Sequence, residues 1–409
     1  MRIPFTAGAG VMAALRRVGR TEDVQWSPSG GRIALAGYTT DRVLVFDVQV
    51  ELCGERVRVD VSGGLEAGSP SFDHPHGLAW LDERTLVVAN RYGRISIVEL
   101  PAGPAPAGPV TLEPVAVVGA DTRDLVKYPG SVSAFPIGMG LVELLVCNNH
   151  VHQVSRHLVD RRCSYAVRAS ESLVSAGLQL PDGVAHSRSG RWIAVSNHDR
   201  YCTFVYRYDE RLHAGSDPDG VLRGTRFPHG VVFTPDERWI LAADAGAPVV
   251  RAYYSADGNW DGEHEPVSAV QIVSDADYER GRFMPGEGGP KGIDLTPDGT
   301  LLVATCDEDR LAFFDMRPVI GTVSAPADPA CDAAEAERAR LFLVRYLGAA
   351  RTRVDEATAA IREAGERELS LLLNSRWWRL TSPLRELSTS LRYNAIRARH
   401  RAASLIRRA

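Results

Sequence analysis

The chain has 409 residues, of which 44% are hydrophobic and 24% are charged, so its composition is that of a globular protein with a sizeable core. No apolar run reaches the length of a membrane-spanning helix, which excludes an integral helical membrane protein. The six cysteines form no Cys-x-x-Cys pair, which excludes the common zinc and redox motifs and favours a reducing compartment.

The first 20 residues contain a short apolar stretch that Gly8 and Gly10 interrupt and that Arg16 and Arg17 end. A secretory signal peptide has a longer apolar core and a cleavage site, so we expect a cytoplasmic protein. Residues 1–20 are instead a candidate for a strand that closes a ring of repeats further along the chain.

One sequence phrase recurs between residues 21 and 324. It consists of a short apolar strand with a glycine near its start, a turn, and a second apolar strand that ends in small or polar residues. The clearest copies are PHGLAWLDERTLVVANR from Pro75, PDGVAHSRSGRWIAVSNH from Pro181, PHGVVFTPDERWILAADA from Pro228 and PKGIDLTPDGTLLVATCD from Pro290. Weaker copies begin at Tyr128 and at Glu22.

The marker glycines of these copies are evenly spaced. They are Gly77, Gly130, Gly183, Gly230 and Gly292, and Asp23 holds the same place in the first copy. Successive intervals are 54, 53, 53, 47 and 62 residues, and roughly 50 residues suit a propeller blade of four strands. We therefore predict an all-β six-bladed β-propeller over residues 21–324 with a C-terminal α-helical extension over 325–409. A seventh blade is the alternative, and we expect residues 1–20 or the run after Arg317 to complete one blade.

The residue before each marker glycine begins the innermost strand of its blade, so it should face one mouth of the central channel. These residues are Glu22, His76, Pro129, Asp182, His229 and Lys291. Ionisable groups that lie close together in a partly desolvated channel shift one another's pKa, which suits acid/base catalysis or metal binding. The catalytic candidates are Glu22, His76, Asp182 and His229. Lys291 is predicted to contact a phosphate or a carboxylate.

The ends of the second strands add further polar side chains, and the aligned copies place them at the same mouth. The ligand-binding candidates among them are Asn90, Asn149, Asn197, His198 and Asp244. Polar residues at strand ends are also common in turns, so a purely structural role is the alternative for each of them.

The Pro-x-Gly and Pro-Asp-Gly pattern of the copies resembles the NHL-repeat, gluconolactonase and sugar-lactonase group of propellers over most of residues 21–316. The resemblance implies a divalent metal held by a Glu at the start of the first inner strand and by Asn and Asp residues before the glycines. Glu22 and Asp182 match that pattern, whereas His76 and His229 depart from it. The metal candidates are therefore Glu22, Asp182 and His229, and a site with two imidazoles favours a transition metal.

A polar, glycine-rich insertion from Ser274 to Pro290 lengthens the interval before the last copy. A long loop that enters an inner strand is a candidate lid over the pocket, and an idle surface loop is the alternative. The chain has no Gly-x-Ser-x-Gly elbow, His-Glu-x-x-His motif, Walker loop or Rossmann fingerprint, which removes support from those enzyme classes.

The composition changes after about residue 325. Leu341, Val344 and Leu347 recur at helical spacing and predict an amphipathic helix in the extension. Residues 374–409 contain nine Arg and one Glu, a local charge of +8 that leaves −12 on the remainder. The run SRWWRLTSPLR from Ser375 resembles the C-terminal sequence of many bacterial glycosyltransferases and neighbouring enzymes of cell-surface polysaccharide clusters.

Two tryptophans of this run, Trp377 and Trp378, stand among Arg376, Arg379 and Arg385. Tryptophan favours the headgroup zone of a bilayer and arginine gains from anionic lipid, so the run predicts contact with an anionic membrane surface. A helix that docks on a partner protein is the alternative, and no nucleic-acid partner is expected.

These patterns favour a cytoplasmic propeller, peripheral at the inner face of the plasma membrane, that takes part in bacterial cell-surface glycan biosynthesis. Its pocket is predicted to bind, or to bind and transform, a sugar or glycan-lipid intermediate. Two alternatives stay open, namely a metal-dependent sugar-lactone hydrolase and a non-catalytic scaffold that binds other proteins.

Overall fold

The structure of the protein is a computed structural model that describes residues 1–53, 56–103, 108–119, 124–138, 140–282 and 286–321. The chain divides into two compact units, Met1–Tyr346 and Leu347–Ala409, and every described residue belongs to the first. The predicted C-terminal extension, including Trp377, Trp378 and the arginines around them, lies outside the described residues. Within the described ranges, no helix combines the length and the apolar character that crossing a bilayer requires.

Six β-sheets form a closed ring, which confirms the predicted six-bladed β-propeller. The first strand of each repeat is the innermost strand of its blade, and it contacts the first strands of both neighbouring blades. The chain enters the ring through β1 (Arg2–Ile3), β2 (Phe5–Ala7) and the helix α1 (Ala9–Arg17).

The first three blades each contain four antiparallel strands that follow one another outwards from the channel. Blade 1 consists of β3 (Thr21–Trp26), β4 (Arg32–Gly37), β5 (Arg42–Cys53) and β6 (Arg56–Gly68). Blade 2 consists of β7 (Pro75–Asp82), β8 (Thr85–Asn90), β9 (Ile95–Glu99) and, after the short β10 (Val110–Thr111), β11 (Pro114–Val118). Blade 3 consists of β12 (Pro129–Gly138), β13 (Leu141–Asn148), β14 (Gln153–Asp160) and β15 (Ala166–Val174). Strands β2 and β10 pair in parallel with β6 and widen blade 1.

The last three blades repeat this arrangement. Blade 4 consists of β16 (Pro181–His186), β17 (Trp192–Asn197), β18 (Cys202–Arg207) and β19 (Gly220–Leu222). Blade 5 consists of β20 (Pro228–Phe233), β21 (Trp239–Asp244), β22 (Val249–Tyr254) and, after β23 (Gly262–His264), β24 (Ser268–Gln271). Blade 6 contains β25 (Ile293–Leu295), β26 (Leu301–Ala304) and β27 (Ala312–Asp315), with the helices α2 (Asp275–Gly281) before it and α3 (Arg317–Ile320) after it. Strand β23 pairs in parallel with β19 of blade 4.

Blade 6 takes its outermost strand from the N-terminal residues. Strand β1 pairs antiparallel with β27, and Arg2 stands opposite Phe314 while Ile3 stands opposite Phe313. The run from Arg317 forms the short helix α3, and up to residue 321, where the described part of the chain ends, it adds no strand. Two strands more than 300 residues apart in the chain therefore complete the ring.

Apolar side chains fill the seams between neighbouring blades. Between blades 1 and 6, Leu35 and Phe46 pack in one cluster with Val303 and Phe313, and all four are buried. Because the inner strands of a blade are covered on both faces, a second strand such as Leu86–Ala89 is apolar at every position and shows no alternation.

The start of the inner strand carries a register shift in five blades. In β7 and β16 the shift lies at the residue between the proline and the marker glycine. In β12 it lies at the marker glycine itself, and in β3 and β20 it spans the pre-glycine and marker positions. A bulge leaves one residue out of the ladder and turns its side chain away from the direction set by the strand. In four blades the irregular stretch includes the pre-glycine residue, namely Glu22, His76, Asp182 or His229.

The marker glycines are required because the inner strands approach one another closely. A Cβ atom on Gly77 would lie 2.6 Å from the Cα atom of Ser131 in the next blade, and one on Gly183 would overlap the carbonyl oxygen of His229. Asp23 is the exception, since its carboxylate accepts a 2.8 Å hydrogen bond from the backbone N–H of Leu78 and so ties blade 1 to blade 2.

Candidate functional site

Five ionisable side chains at the pre-glycine positions meet at one mouth of the channel. They are Glu22, His76, Asp182, His229 and Lys291, and each is at most 7% exposed. Residues at the ends of the second strands and in the loop before blade 6 complete the group. We call this group the funnel, and its members are Arg20, Glu22, His76, Arg91, Asn149, Asp182, His198, His229, Glu287, Lys291 and Asp307.

Lys291 lies among three carboxylates of the funnel. Its Nζ atom is 3.3 Å from Glu22 Oε1, 3.5 Å from Glu287 Oε2 and 3.8 Å from Asp307 Oδ2. The protein itself thus places anions around Lys291, and its predicted contact with a phosphate or carboxylate ligand stays a prediction. Sequence reasoning missed this arrangement because the three carboxylates come from distant parts of the chain.

Glu22 is held as a carboxylate by the cations around it. Burial opposes its ionisation, but the charge of Lys291, with contributions from His76 and Arg20, lowers the pKa of Glu22 to about 2. Burial raises the pKa of Asp307 above its usual value, and Lys291 offsets this only in part. Glu22 thus carries a permanent negative charge, whereas Asp307 is ionised less readily.

His76 orients Arg91, which lies in the turn that follows β8. Its Nδ1 atom lies 2.5 Å from the carbonyl oxygen of Gly130, and its Nε2 atom accepts a hydrogen bond from Arg91. Burial and the neighbouring Arg91 charge lower the pKa of His76 to about 3, so the imidazole is neutral. Arg91 also lies 3.4 Å from Asp182, which makes His76 a positioning group for the Arg91–Asp182 pair.

Asp182 and His229 form a buried pair at the centre of the funnel. The Nδ1 atom of His229 lies 3.1 Å from Asp182 Oδ2, and Asn149 donates a 2.7 Å hydrogen bond to Asp182 Oδ1. Burial opposes the ionisation of Asp182, but His229, His76 and Arg91 keep its pKa well below the usual value. Burial lowers the pKa of His229, which favours the neutral imidazole, and the carboxylate of Asp182 at 3.1 Å favours the tautomer with its proton on Nδ1.

His198 and Glu287 form a second pair beside His229. The Nε2 atom of His198 is 3.2 Å from Glu287 Oε1, and its Nδ1 atom is 2.8 Å from Asp199 Oδ1. The ring of His198 stacks on Phe227 with 4.8 Å between centroids. Burial opposes the protonation of His198, but the bond to Glu287 and the charge of Asp182 raise its pKa. Burial likewise opposes the ionisation of Glu287, and the bond to His198 lowers its pKa.

Glu287, like Arg20 and Arg91, is a funnel residue that sequence reasoning did not find. It lies in the Ser274–Pro290 insertion, four residues before Lys291, and is the part of that predicted lid that reaches the funnel. The available signal was an acidic side chain in a long loop that leads directly into an inner strand.

Several funnel atoms are buried and lack a hydrogen-bond partner among the described residues. They are Glu22 Oε2, Arg91 Nη1, Asn149 Oδ1, His229 Nε2 and Asp307 Oδ1. Buried polar groups in proteins nearly always have a partner, because an unpaired group costs about 1–3 kcal/mol. The concentration of such atoms in the funnel indicates a place where a polar ligand binds.

The strand-end residues Asn90, Asn197 and Asp244 do not contribute to the funnel, contrary to the ligand-binding role predicted for them. All three side chains are fully buried and bind backbone groups. Asn90 accepts a hydrogen bond from the N–H of Asp73, Asn197 from Gln179 and Asp244 from Arg226 and Phe227. They hold the loops that enter the inner strands. The residue after Asn90 is Arg91 and the residue after Asn197 is His198. Both reach the funnel, because successive side chains point in opposite directions.

The metal set implied by the resemblance does not assemble. Glu22 pairs with Lys291 and Arg20, so cations already occupy the place next to its carboxylate. Among the described residues, two other groups bring three ligand atoms within 4.8 Å of one another. They are the funnel group His198, His229 and Glu287, and the exposed group Asp41, Asp73 and His74.

Comparison with solved structures returns other propellers. Regucalcin from Agrobacterium tumefaciens, a calcium-binding protein, is 15% identical with a TM-score of 0.45, over 72% of this chain and 88% of that one. A luciferin-regenerating enzyme is 10% identical with a TM-score of 0.47, over 72% of this chain and 91% of that one. A functionally unknown protein from Desulfotomaculum acetoxidans is 12% identical with a TM-score of 0.45, over 75% and 84%. These similarities carry no information on the chemistry of the funnel. No protein-family model matches the chain, and no curated protein matches it.

Proposed function

We propose that the funnel is the active site of a hydrolase that opens a lactone, or a similar cyclic ester, of a polyhydroxylated acid. The observation that carries the proposal is the Asp182–His229 pair. The Nδ1 atom of His229 faces the carboxylate of Asp182, and its Nε2 atom is buried without a hydrogen-bond partner among the described residues. A neutral imidazole in this state is a general base for a water molecule.

The unpaired atoms of the funnel support the substrate class. Three of these unpaired atoms are potential acceptors, namely Glu22 Oε2, Asn149 Oδ1 and Asp307 Oδ1. Another, Arg91 Nη1, is a potential donor. A hydroxyl group both donates and accepts, so a ligand with several hydroxyl groups can pair with both kinds of atom.

The residues define a balanced sequence of steps. His229 Nε2 takes a proton from water as the water oxygen attacks the carbonyl carbon, and Asp182 stabilises the resulting imidazolium. Arg91 Nη1 donates to the carbonyl oxygen as that oxygen gains negative charge. When the ring C–O bond breaks, the imidazolium returns its proton to the leaving alkoxide oxygen. The product is the open hydroxy acid, and His229 is neutral again.

Hydrolysis of δ-gluconolactone, followed in a pH-stat, tests the proposal. We expect hydrolysis above the uncatalysed rate, and a loss of 10²–10⁴-fold in kcat for His229→Ala, the range typical of a general base. His74→Ala is the matched control, because His74 is a half-exposed imidazole on the same blade-entry turn as His76 and lies outside the funnel. Equal rates for the wild type and His229→Ala would overturn the proposal.

The predicted role in cell-surface glycan assembly rests on residues 375–385, which lie outside the described residues. No comparison supports that resemblance, so the role stays a prediction. Contact with an anionic membrane or a partner protein through the same residues also stays a prediction.

A further inference from the structure

We propose that His198, His229 and Glu287 form a binding site for one divalent transition-metal ion. The inference rests on the proposed function in that it concerns the same funnel, but it replaces the role given to His229. A metal-bound Nε2 atom cannot also take a proton from water, so a water molecule acidified by the ion would supply the nucleophile in the metal-loaded protein. The Nε2 atom of His198 lies 3.2 Å from Glu287 Oε1, and the Nε2 atom of His229 lies 3.9 Å from Glu287 Oε2. Metal–ligand bonds of about 2.0–2.2 Å, as zinc makes, place neighbouring ligand atoms roughly 3–4 Å apart. The two nitrogen–carboxylate distances already have this spacing, and the three side chains bring their ligand atoms within 4.8 Å of one another.

The groups behind the two imidazoles support a metal. Asp182 holds Nδ1 of His229 at 3.1 Å, and Asp199 holds Nδ1 of His198 at 2.8 Å. Metal-binding histidines nearly always donate their second ring N–H to a carboxylate, carbonyl or water, which fixes the tautomer and the ring orientation. Here both rings have a carboxylate partner on Nδ1 and present Nε2 towards Glu287.

An independent observation points to a ligand at the same place. His229 Nε2 is buried, and among the described residues it has no hydrogen-bond partner. Its 3.9 Å distance to Glu287 Oε2 is too long for a hydrogen bond. An ion between these two atoms would use the lone pair that the protein leaves unpaired.

The donor set selects the class of metal. Calcium and magnesium take oxygen ligands, whereas two imidazoles and one carboxylate suit zinc or another first-row transition metal. The site therefore differs from the oxygen set implied by the resemblance, because Glu22 is absent from it and two nitrogen ligands are present. Three protein ligands leave a position for water, and a bound metal of this kind lowers the pKa of that water.

Lys291 is the positive charge nearest to the proposed ion, 3.5 Å from Glu287 Oε2. Glu22 and Asp307 lie at 3.3 Å and 3.8 Å from the same Nζ atom. Of these two carboxylates, Glu22 has a lowered pKa and offsets part of the ammonium charge, whereas burial raises the pKa of Asp307.

Titration of the full-length, chelator-treated protein with Zn²⁺ by calorimetry tests the inference. We expect one equivalent to bind per chain, with at least a 100-fold weaker affinity in His198→Ala, His229→Ala and Glu287→Gln. Asp199→Asn, which removes only the carboxylate behind His198, should weaken zinc binding 10–100-fold. Asp41→Asn, in the exposed group, is the matched control and should leave the affinity unchanged. Circular dichroism verifies that each variant is folded.

Three results would overturn the inference: no stoichiometric zinc binding, unchanged affinity in folded Glu287→Gln, or a loss confined to Asp41→Asn. The lactone assay separates this failure from failure of the proposed function. Hydrolysis that needs His229 but persists in chelated protein removes the metal and keeps the hydrolase. Stoichiometric zinc binding without lactone hydrolysis keeps the metal site and removes the proposed substrate.

Discussion

The propeller contains two buried clusters of charge that differ in one respect. The funnel is one, and the other lies between blades 3 and 4, where Glu143 accepts a 2.7 Å hydrogen bond from the Tyr208 hydroxyl and lies 3.0 Å from His186 Nε2. Arg156 donates to Tyr208 at 2.9 Å and also to Glu171. We call these five residues the Glu143 cluster. Both oxygens of Glu143 have partners, whereas Glu22, Asn149 and Asp307 in the funnel each have an unpaired buried oxygen.

The difference separates structural polar groups from functional ones. A buried carboxylate with partners on both oxygens, such as Glu143, has the cost of its removal from water compensated, so it can hold two blades in register. An incompletely paired cluster leaves that cost partly uncompensated in the free protein, and a ligand can supply the missing partners. Burial and charge alone therefore do not identify a binding site. The further observation is that five of the twelve buried side-chain atoms without a hydrogen-bond partner among the described residues lie together in the funnel.

The largest expected effect is the difference in stability lost when one carboxyl group is removed from each cluster. Glu143→Ala should lower the free energy of unfolding by about 3–5 kcal/mol, because Arg156, His186 and Tyr208 lose a shared partner in a buried place. Asp307→Asn should change it by no more than about 1 kcal/mol, because burial already disfavours the charge of Asp307. Urea denaturation of both variants measures the contrast, and equal losses would contradict it.

The neighbours Asn197 and His198 allow the same comparison between a structural residue and a funnel residue. Asn197→Ala should lower the free energy of unfolding by about 1–3 kcal/mol, because the backbone N–H of Gln179 loses its buried acceptor. Lactone hydrolysis and zinc affinity should stay at wild-type values in the folded variant, although the neighbouring His198 belongs to the funnel. A folded Asn197→Ala protein that has lost zinc binding would show that these amides are part of the site.

The smallest effect concerns a buried carboxyl whose partners are backbone groups. Asp294 accepts a 2.8 Å hydrogen bond from the N–H of Trp26, and burial raises its pKa to about 7. It therefore keeps its proton in the folded state between pH 4 and 7 and loses it in the unfolded state, so the unfolding free energy falls as pH rises through this window. Between pH 5 and 6 the wild type should lose about 1 kcal/mol more than Asp294→Asn.

Chemical denaturation at several pH values checks this slope. A constant difference in stability between the two proteins does not affect the test, because only the change with pH is compared. Parallel stability profiles for the wild type and Asp294→Asn across pH 5 to 6 would show that Asp294 is ionised in the folded protein.

The repeat made the fold predictable, since the spacing of the marker glycines reports the width of a blade. The same spacing indicated Glu22, His76, Asp182, His229 and Lys291, which the structure brings together. Their partners were not predictable, because contacts across the ring join residues that share no local pattern. Asn90 and Asn197 show a second limit: the alternation of side chains makes a one-residue offset decisive. Glu287 shows a third, because loops outside the repeat have no register to align.

The pairing of β1 with β27 has a consequence for biosynthesis. A chain that leaves the ribosome residue by residue can build blades 1 to 5 in order, but β1 has no partner until Ala312–Asp315 has emerged. Closure, and with it the final positions of the side chains at both ends of the circle, is thus a late event. A fusion that sterically blocks Arg2–Ile3 should leave separate blades able to form while preventing the circle from locking.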